Sequence, residues 1–154
     1  MLKKILKVIC LILIINCILY AGNKDGNELQ WLFKSDFDYG ENFKEGMARI
    51  QKGFGDDAVY GFINESGKLI APIKYHSATE FENGYARIGL KSGMGIINRE
   101  GKIVLQLKYA DALYSGKGKI AIVADKNFNY ALVDFNGNEL IPYKYQEIKK
   151  FSEG

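Results

Sequence analysis

Short runs in which large apolar residues alternate with small or polar residues recur along most of the chain. The first hairpin region contains three of them, at Met47–Ile50, Tyr60–Ile63 and Lys68–Ala71. Alternation with a period of two predicts β-strands, because successive side chains of a strand point to opposite faces. The residues between the runs are rich in Gly, Asn and Asp, which is typical of turns. The pattern therefore predicts an all-β fold. Only Ala78–Phe81 and Ala110–Leu113 fit a single helical turn.

The hairpin formed by the second and third runs occurs three times. Its copies are GFINESGKLIAPIKY at 61–75, GIINREGKIVLQLKY at 95–109 and ALVDFNGNELIPYKY at 131–145. The turn glycines (Gly67, Gly101, Gly137) are spaced by 34 and 36 residues, and the final tyrosines (Tyr75, Tyr109, Tyr145) keep the same spacing. A fixed period of this length indicates a repeat array, in which each unit buries its apolar face against a neighbour.

Each landmark of the hairpin has a predicted structural role. A small residue in the second strand permits close approach of another backbone, an Asn or Asp begins a type I turn, and a Gly with positive φ ends it. Proline is predicted to stop the third strand, because it cannot donate to the ladder. These positions are Gly61, Gly95 and Ala131; Asn64, Asn98 and Asp134; Gly67, Gly101 and Gly137; and Pro72 and Pro142.

A second landmark, Phe-x-x-Gly, precedes the first strand of each unit. It stands at Phe43–Gly46, Phe81–Gly84 and Phe151–Gly154, and in a degenerate form at Ser115–Gly118. These landmarks predict a repeat region over residues 22–154. The sequence before it, residues 1–21, is predicted to be an N-terminal leader. The units are a partial one at about 31–59, then 60–93, 94–129 and 130–154. The expected architecture is a tandem array of three-stranded antiparallel meanders of about 35 residues, either an open solenoid or a partial propeller.

The landmarks resemble the WG repeat, also called the KWG repeat, of bacterial proteins. Gly61-Phe62-Ile63-Asn64, Gly67-Lys68, Pro72 and Tyr75 match in order, and the resemblance extends over roughly residues 31–154. The signature Trp is replaced by Tyr60, Met94 and Tyr130. The resemblance implies a secreted or surface-associated β-repeat protein, and it implies no catalytic residues.

The N-terminus has the pattern of a secretory signal. Three lysines within Met1–Lys7 precede the apolar run Val8–Tyr20, and Ala21 offers a small residue at a cleavage site. A second interpretation of the same segment is a lipoprotein signal, in which Ile14-Ile15-Asn16 precedes a lipidated Cys17. The predicted localisation is therefore periplasmic, secreted or lipid-anchored at the cell envelope.

Charge and cysteine content narrow the function classes. The formal net charge is +3, and the three leader lysines account for all of it, so the rest of the chain is neutral. A neutral body argues against nucleic-acid binding, which requires clustered positive charge. Both cysteines, Cys10 and Cys17, lie in the leader. The sequence therefore predicts no disulfide framework and no thiol nucleophile. It also predicts no catalytic, metal-binding or cofactor-binding residue, and a structural or solvated role for the single histidine, His76.

One repeated column carries a functional hypothesis. Lys74, Lys108 and Lys144 each precede the final tyrosine of a hairpin. Along a stacked array they would form a surface ladder for acidic or carbohydrate groups. The alternative is that they are solvated lysines that discourage edge pairing.

The expected function is a non-enzymatic binding or scaffold module that contacts protein or glycan at the envelope. The rivals are a hydrolase using loop carboxylates such as Asp56, Asp57, Glu80, Glu82 and Glu100, and an inert structural component. The chain ends at Gly154, where a new strand should begin. The sequence therefore also predicts a fragment of a longer array, whose last sheet edge is prone to association.

Overall fold

The computed structural model describes residues 36–151, which contain twelve β-strands, one 3-10 turn and no α-helix. The strands are β1 Tyr39–Gly40, β2 Met47–Lys52, β3 Val59–Asn64, β4 Leu69–Tyr75, β5 Ser77–Ala78, β6 Tyr85–Leu90, β7 Gly93–Asn98, β8 Ile103–Tyr109, β9 Asp111–Tyr114, β10 Ile120–Ala124, β11 Tyr130–Asp134 and β12 Glu139–Tyr145. The 3-10 turn spans Gly55–Asp57. The predicted all-β fold is confirmed. Within this part of the chain, no helix is long or apolar enough to cross a membrane.

The strands form three open, four-stranded antiparallel sheets. Sheet 1 is β1–β4, sheet 2 is β5–β8 and sheet 3 is β9–β12, each with its strands in chain order. The prediction of helical turns at Ala78–Phe81 and Ala110–Leu113 was wrong, because these segments contribute to β5 and β9. Ala78 pairs with Ile88, and all of β9 pairs with β10. Pairing with the neighbouring strand satisfies backbone groups that an isolated helical turn would leave open.

The predicted hairpin turns are formed in all three sheets. In the first, the Gly67 N–H donates to the Asn64 carbonyl at 2.8 Å, and the Lys68 N–H donates to Asn64 Oδ1 at 2.9 Å. The same side-chain contact joins Lys102 to Asn98 and Asn138 to Asp134. The turn glycines Gly67, Gly101 and Gly137 have φ values of 75°, 78° and 87°. Positive φ explains why glycine occupies these positions.

The two prolines do not stop their strands, contrary to the prediction. β4 continues beyond Pro72 to Tyr75, and β12 continues beyond Pro142 to Tyr145. Each proline is exposed on an outer strand, where its missing N–H costs no ladder bond. The pairing shifts register at this place in both sheets, and β8 shifts in the same way with Gln106 at the equivalent position. The bulge is therefore a property of the repeat and does not depend on proline.

The core lies between consecutive sheets. Each sheet presents a tail face to the next sheet and a head face to the previous one. The tail faces are Phe62, Ala71 and Tyr75 in sheet 1 and Ile96, Leu105 and Tyr109 in sheet 2. The head faces are Ala78, Ala86, Ile88 and Ile97 in sheet 2 and Ala112, Ala121, Val123 and Val133 in sheet 3. Each cluster joins one tail face to the following head face, so the sheets bury one another in series.

Close packing within each sheet depends on the small residue of the second hairpin strand. A Cβ added at Gly61 would lie 2.8 Å from the Ala71 carbonyl oxygen and 3.0 Å from the Ile73 Cα. Both neighbours are backbone atoms, which cannot move aside as a side chain can. The strand β4 thus approaches β3 so closely at Gly61 that only a residue with a very small side chain fits there.

Candidate binding cleft

Two-residue turns precede the second strand of sheets 1 and 2. In the first, Lys44 and Met47 exchange backbone hydrogen bonds of 2.8 and 3.0 Å around Glu45 and Gly46. Both central residues have positive φ, at 54° and 78°. The second turn, Glu82–Tyr85, has the same form with Asn83 and Gly84 at its centre. This is the conformation of type I′ turns. Glu45 is an unusual residue for it, because side chains beyond glycine, Asn and Asp rarely take positive φ.

The Glu45 carboxylate spans the junction between sheets 1 and 2. It accepts hydrogen bonds from the N–H groups of Asn83 at 2.7 Å and Gly84 at 2.8 Å, and from Arg99 Nη2 at 2.7 Å. Burial by itself raises the pKa of Glu45, but the hydrogen bonds from Arg99, Gly84 and Asn83 together outweigh it and leave the pKa lowered. This Glu45 clamp ties the turn of one sheet to the equivalent turn of the next.

The clamp predicts a pH-dependent contribution to stability. Because its folded-state pKa is lowered, the Glu45 carboxylate stabilises the fold at pH values above its ordinary pKa of 4.5. This contribution is lost as the pH falls through the lowered folded-state pKa. We expect Glu45→Gln to reduce the free energy of unfolding by about 1 kcal/mol at pH 7 and by much less at pH 3. Urea unfolding of both proteins at the two pH values measures this. Glu147→Gln, at an exposed position, is the control, and an equal loss at both pH values would contradict the clamp.

The junction between sheets 2 and 3 replaces the ionic clamp with aromatic rings. The ring centroids of Tyr85 and Tyr114 are 4.5 Å apart, and Phe135 lies 5.1 Å from Tyr85 in an edge-to-face arrangement. In the repeat, Phe135 stands where Arg99 stands one unit earlier. The two junctions thus use different chemistry at the same positions. Offset and edge-to-face pairs of this kind contribute beyond their buried area.

A cleft of about 270 Å³ opens beside this aromatic cluster. Tyr85 and Tyr114 line it, together with residues in or beside all three sheets. The lining residues are Lys44, Thr79, Glu80, Glu82, Tyr85, Ala86, Arg87, Leu113, Tyr114 and Lys150. Lys44 precedes β2, Glu80 and Glu82 precede β6, and Lys150 follows β12. With Leu113 and Tyr114 of β9, the lining residues come from four successive repeat units of the sequence. We call this place the junction cleft.

Ion pairs between different units border the junction cleft. Lys44 Nζ lies 3.2 Å from Glu80 Oε2, and Lys150 Nζ pairs with Glu82. Arg87 Nη1 lies 2.8 Å from Asp111 Oδ1, and the Arg87 N–H donates to Thr79 Oγ1. The lysine pairs are well exposed, so each contributes at most about 1 kcal/mol and can rearrange around a ligand.

The structure places the predicted lysine column on the exposed side of the outer strands. Lys74, Lys108 and Lys144 are all exposed, and each ammonium group lies over the ring of the following tyrosine. The distances from Nζ to the ring centroid are 5.7, 5.2 and 5.4 Å for Tyr75, Tyr109 and Tyr145. These are cation–π contacts within single units. The column does not line the junction cleft.

Other residues considered from the sequence lie apart from the junction cleft. His76 is exposed between β4 and β5, and its N–H donates to the Gly89 carbonyl at 2.9 Å. Asp56 and Asp57 lie in the exposed 3-10 turn. Within residues 36–151, no group of three His, Asp or Glu side chains is placed to hold a metal ion. Cys17 and the leader lie outside the described residues, as do Ser152–Gly154.

Sequence reasoning missed two arginines that cross between sheets. Arg49 donates to the Ala78 carbonyl of sheet 2, and Arg87 pairs with Asp111 of sheet 3. They occupy the same place in Ala48-Arg49-Ile50 and Ala86-Arg87-Ile88. The sequence did contain a signal for them, because an arginine recurs between two apolar residues at the same place in two units. The third unit has Ile122 there, and its Ala121 and Val123 face sheet 2.

Comparison with known proteins adds one match. The sequence model of the family described as "WG containing repeat" matches residues 23–53, 60–91, 94–127 and 130–154. These four matches cover most of the chain, and the resemblance noted from its landmarks is confirmed. No curated protein and no solved structure matches the chain.

Proposed function

Because the chain belongs to the WG containing repeat family, we propose that it is an exported, non-enzymatic binding module of the bacterial cell envelope whose ligand is a glycan. The observation that carries this proposal is the junction cleft. It combines a pair of tyrosine rings with carboxylate, ammonium and guanidinium groups from four units. A site made by several repeats also explains why a binding protein would be built as an array.

The chemistry of the junction cleft favours a ligand rich in hydroxyl groups. Sugar hydroxyls both donate and accept hydrogen bonds, and they would meet acceptors at Glu80 and Glu82 and donors at Lys44, Arg87 and Lys150. The apolar face of a sugar ring can pack on Tyr85 or Tyr114, which line the junction cleft. A small apolar ligand would use none of these hydrogen-bonding groups and would shield their charges from water.

The same geometry favours binding over hydrolysis. A glycosidase needs one carboxylic acid that donates a proton and a second carboxylate across the scissile bond. Glu80 and Glu82 each lie against a lysine ammonium group of another unit. That arrangement suits carboxylates that accept hydrogen bonds from a ligand. The rival hypothesis is a hydrolase, and the glycan-array experiment distinguishes cleavage of a glycan from binding.

Export is supported by the leader. Three lysines followed by the apolar run Val8–Tyr20 and the small residue Ala21 form a secretory signal pattern. The absence of cysteine after Cys17 means that the repeat region requires no oxidative folding. We propose cleavage after Ala21, with lipidation of Cys17 as the alternative processing route.

Binding to a glycan array tests the proposal. The full chain is produced in bacteria with its own leader, and the mass of the mature product shows where cleavage occurs and whether a lipid is attached. We expect binding to a subset of glycans, and a reduction of about tenfold in affinity for Glu80→Gln combined with Glu82→Gln, which removes two charged acceptors. Glu147→Gln, at an exposed position away from the junction cleft, is the matched control.

Three results would count against this function. Cleavage of a bound glycan that is lost in the Glu80→Gln variant would indicate a hydrolase. Binding that the cleft variants leave unchanged would place the ligand elsewhere, with the column of Lys74, Lys108 and Lys144 as the next candidate. Binding to envelope proteins but to no glycan would replace the proposed ligand with a protein.

A further inference from the structure

The junction cleft is lined by two ion pairs, each formed between different repeat units. Lys44 Nζ of the first unit lies 3.2 Å from Glu80 Oε2 of the second unit. Lys150 Nζ of the fourth unit pairs with Glu82, again of the second unit. All four residues belong to the lining. Ammonium groups and carboxylates therefore meet there in equal number.

These four charges stand at the same place in the repeat pattern. Glu80 and Glu82 flank the Phe of the Phe-x-x-Gly landmark in the second unit, and Lys44 and Lys150 stand next to that Phe in the first and fourth units. Phe81 itself is buried, whereas the glutamates on either side of it are exposed. The landmark is kept from unit to unit, but the sign of the charge beside it changes. Opposite charges therefore meet where the units stack.

Both ion pairs are open to solvent, so a ligand can separate them. The side chains of Lys44 and Glu80 are each 51% exposed, and those of Lys150 and Glu82 are 38% and 56% exposed. Exposed pairs of this kind contribute little to the stability of the fold, because water and salt screen their attraction. Their separation by a ligand therefore leaves the stacking of the sheets intact.

Separation of the two pairs determines which charges a ligand needs. A ligand with acidic groups alone would bind the lysines and be repelled by the glutamates, and a ligand with ammonium groups alone would meet the reverse. A neutral glycan would bind through hydroxyl groups beside the intact pairs. Only a ligand with both charges gives every separated group a new charged partner. Arg87, the remaining charged residue of the lining, keeps Asp111 as its partner at 2.8 Å.

We propose that the ligand of the junction cleft is an amphoteric glycan, whose ammonium groups bind Glu80 and Glu82 and whose acidic groups bind Lys44 and Lys150. This inference rests on the proposed function, because it takes a glycan as the ligand and the junction cleft as its site. The two tyrosines of the lining suit the same ligand, since an ammonium group on a sugar ring is attracted to an aromatic face. Amino sugars with a free amine that alternate with acidic sugars have this chemistry.

Four forms of one oligosaccharide test the inference with the mature full-length chain. An oligosaccharide of alternating glucosamine and glucuronic acid is amphoteric. N-acetylation removes its positive charges, reduction of its carboxyl groups to alcohols removes its negative charges, and both treatments together make it neutral. We expect isothermal titration calorimetry to show that the amphoteric form binds about tenfold more tightly than each of the other three.

Paired variants assign each charge of the ligand to its partner. Glu80→Gln combined with Glu82→Gln should abolish the advantage of the amphoteric form over the N-acetylated form. Lys44→Gln combined with Lys150→Gln should abolish its advantage over the carboxyl-reduced form. Glu147→Gln, at an exposed position outside the junction cleft, should change neither ratio. Circular dichroism checks that all the variants are folded.

The outcomes separate this inference from the proposed function. Equal or tighter binding of the neutral form or of either singly charged form would overturn the amphoteric ligand and leave a glycan ligand standing. Selectivity that persists in both paired variants would also overturn it, because the charges would then be recognised outside the junction cleft. The same holds if none of the four forms binds while other glycans of the array do. Absence of binding to any glycan would remove the proposed function as well.

Discussion

Gly101→Ala is expected to lower the free energy of unfolding by about 3 kcal/mol or more. Two effects coincide at this position. Gly101 has a φ of 78°, which is unfavourable for any residue that carries a Cβ. The added Cβ would also overlap with the carbonyl oxygen of Ile70 in the preceding sheet. The overlap is with backbone, so relief requires the turn of sheet 2 to move away from sheet 1 and open the junction.

Gly84→Ala is the matched control for this effect. Gly84 has a similar φ of 84°, but a Cβ there would meet no atom within 4 Å. It isolates the backbone strain, for which we expect about 1–2 kcal/mol. Chemical denaturation of the two variants and the unmodified chain measures both values. Equal losses would show that the turn of sheet 2 does not rest on Ile70, and would contradict the packing between sheets.

The hairpins could be predicted from sequence because their determinants are local. Asn64 and Gly67 fix the turn through a side-chain hydrogen bond and a positive φ, and both are visible as residue types at a fixed spacing. The alternation of large and small residues in β3 likewise marks its faces. Because these signals recur in three copies, the all-β array and its family could be recognised from the sequence.

Features that depend on contacts between units could not be predicted in this way. β5 has only two residues, Ser77 and Ala78, and it is a strand because β6 lies beside it. Pro72 stays within β4 because that strand is outermost in its sheet, a position that residue type does not reveal. The sequence contains no local sign of either placement.

The junction cleft was hidden for a related reason. Its lining runs from Lys44 to Lys150, so residues far apart in sequence meet only after the sheets have stacked. The Glu45 clamp was hidden as well, because the equivalent position holds Asn83 in the next unit and no repeated residue marks it. Both features depend on positions at which the units differ, whereas the repeat pattern records only what the units share.

Phe81→Ala is the second large effect that we expect, at about 3–4 kcal/mol. The side chain is almost completely buried between sheets 1 and 2, where it packs on Phe62. Its removal would leave a cavity in the first of the two cores. The same residue type stands at the equivalent place in sheet 1 as Phe43, which is 36% exposed. The difference between the two positions is the presence of a preceding sheet among the described residues.

The free energies of unfolding of Phe81→Ala and Phe43→Ala, compared at a concentration where the chain is monomeric, test most directly the claim that each sheet is stabilised by its neighbour. We expect a loss of about 3–4 kcal/mol for Phe81→Ala and about 1 kcal/mol for Phe43→Ala. Equal losses at the two positions would contradict it, because each phenylalanine would then contribute within its own unit.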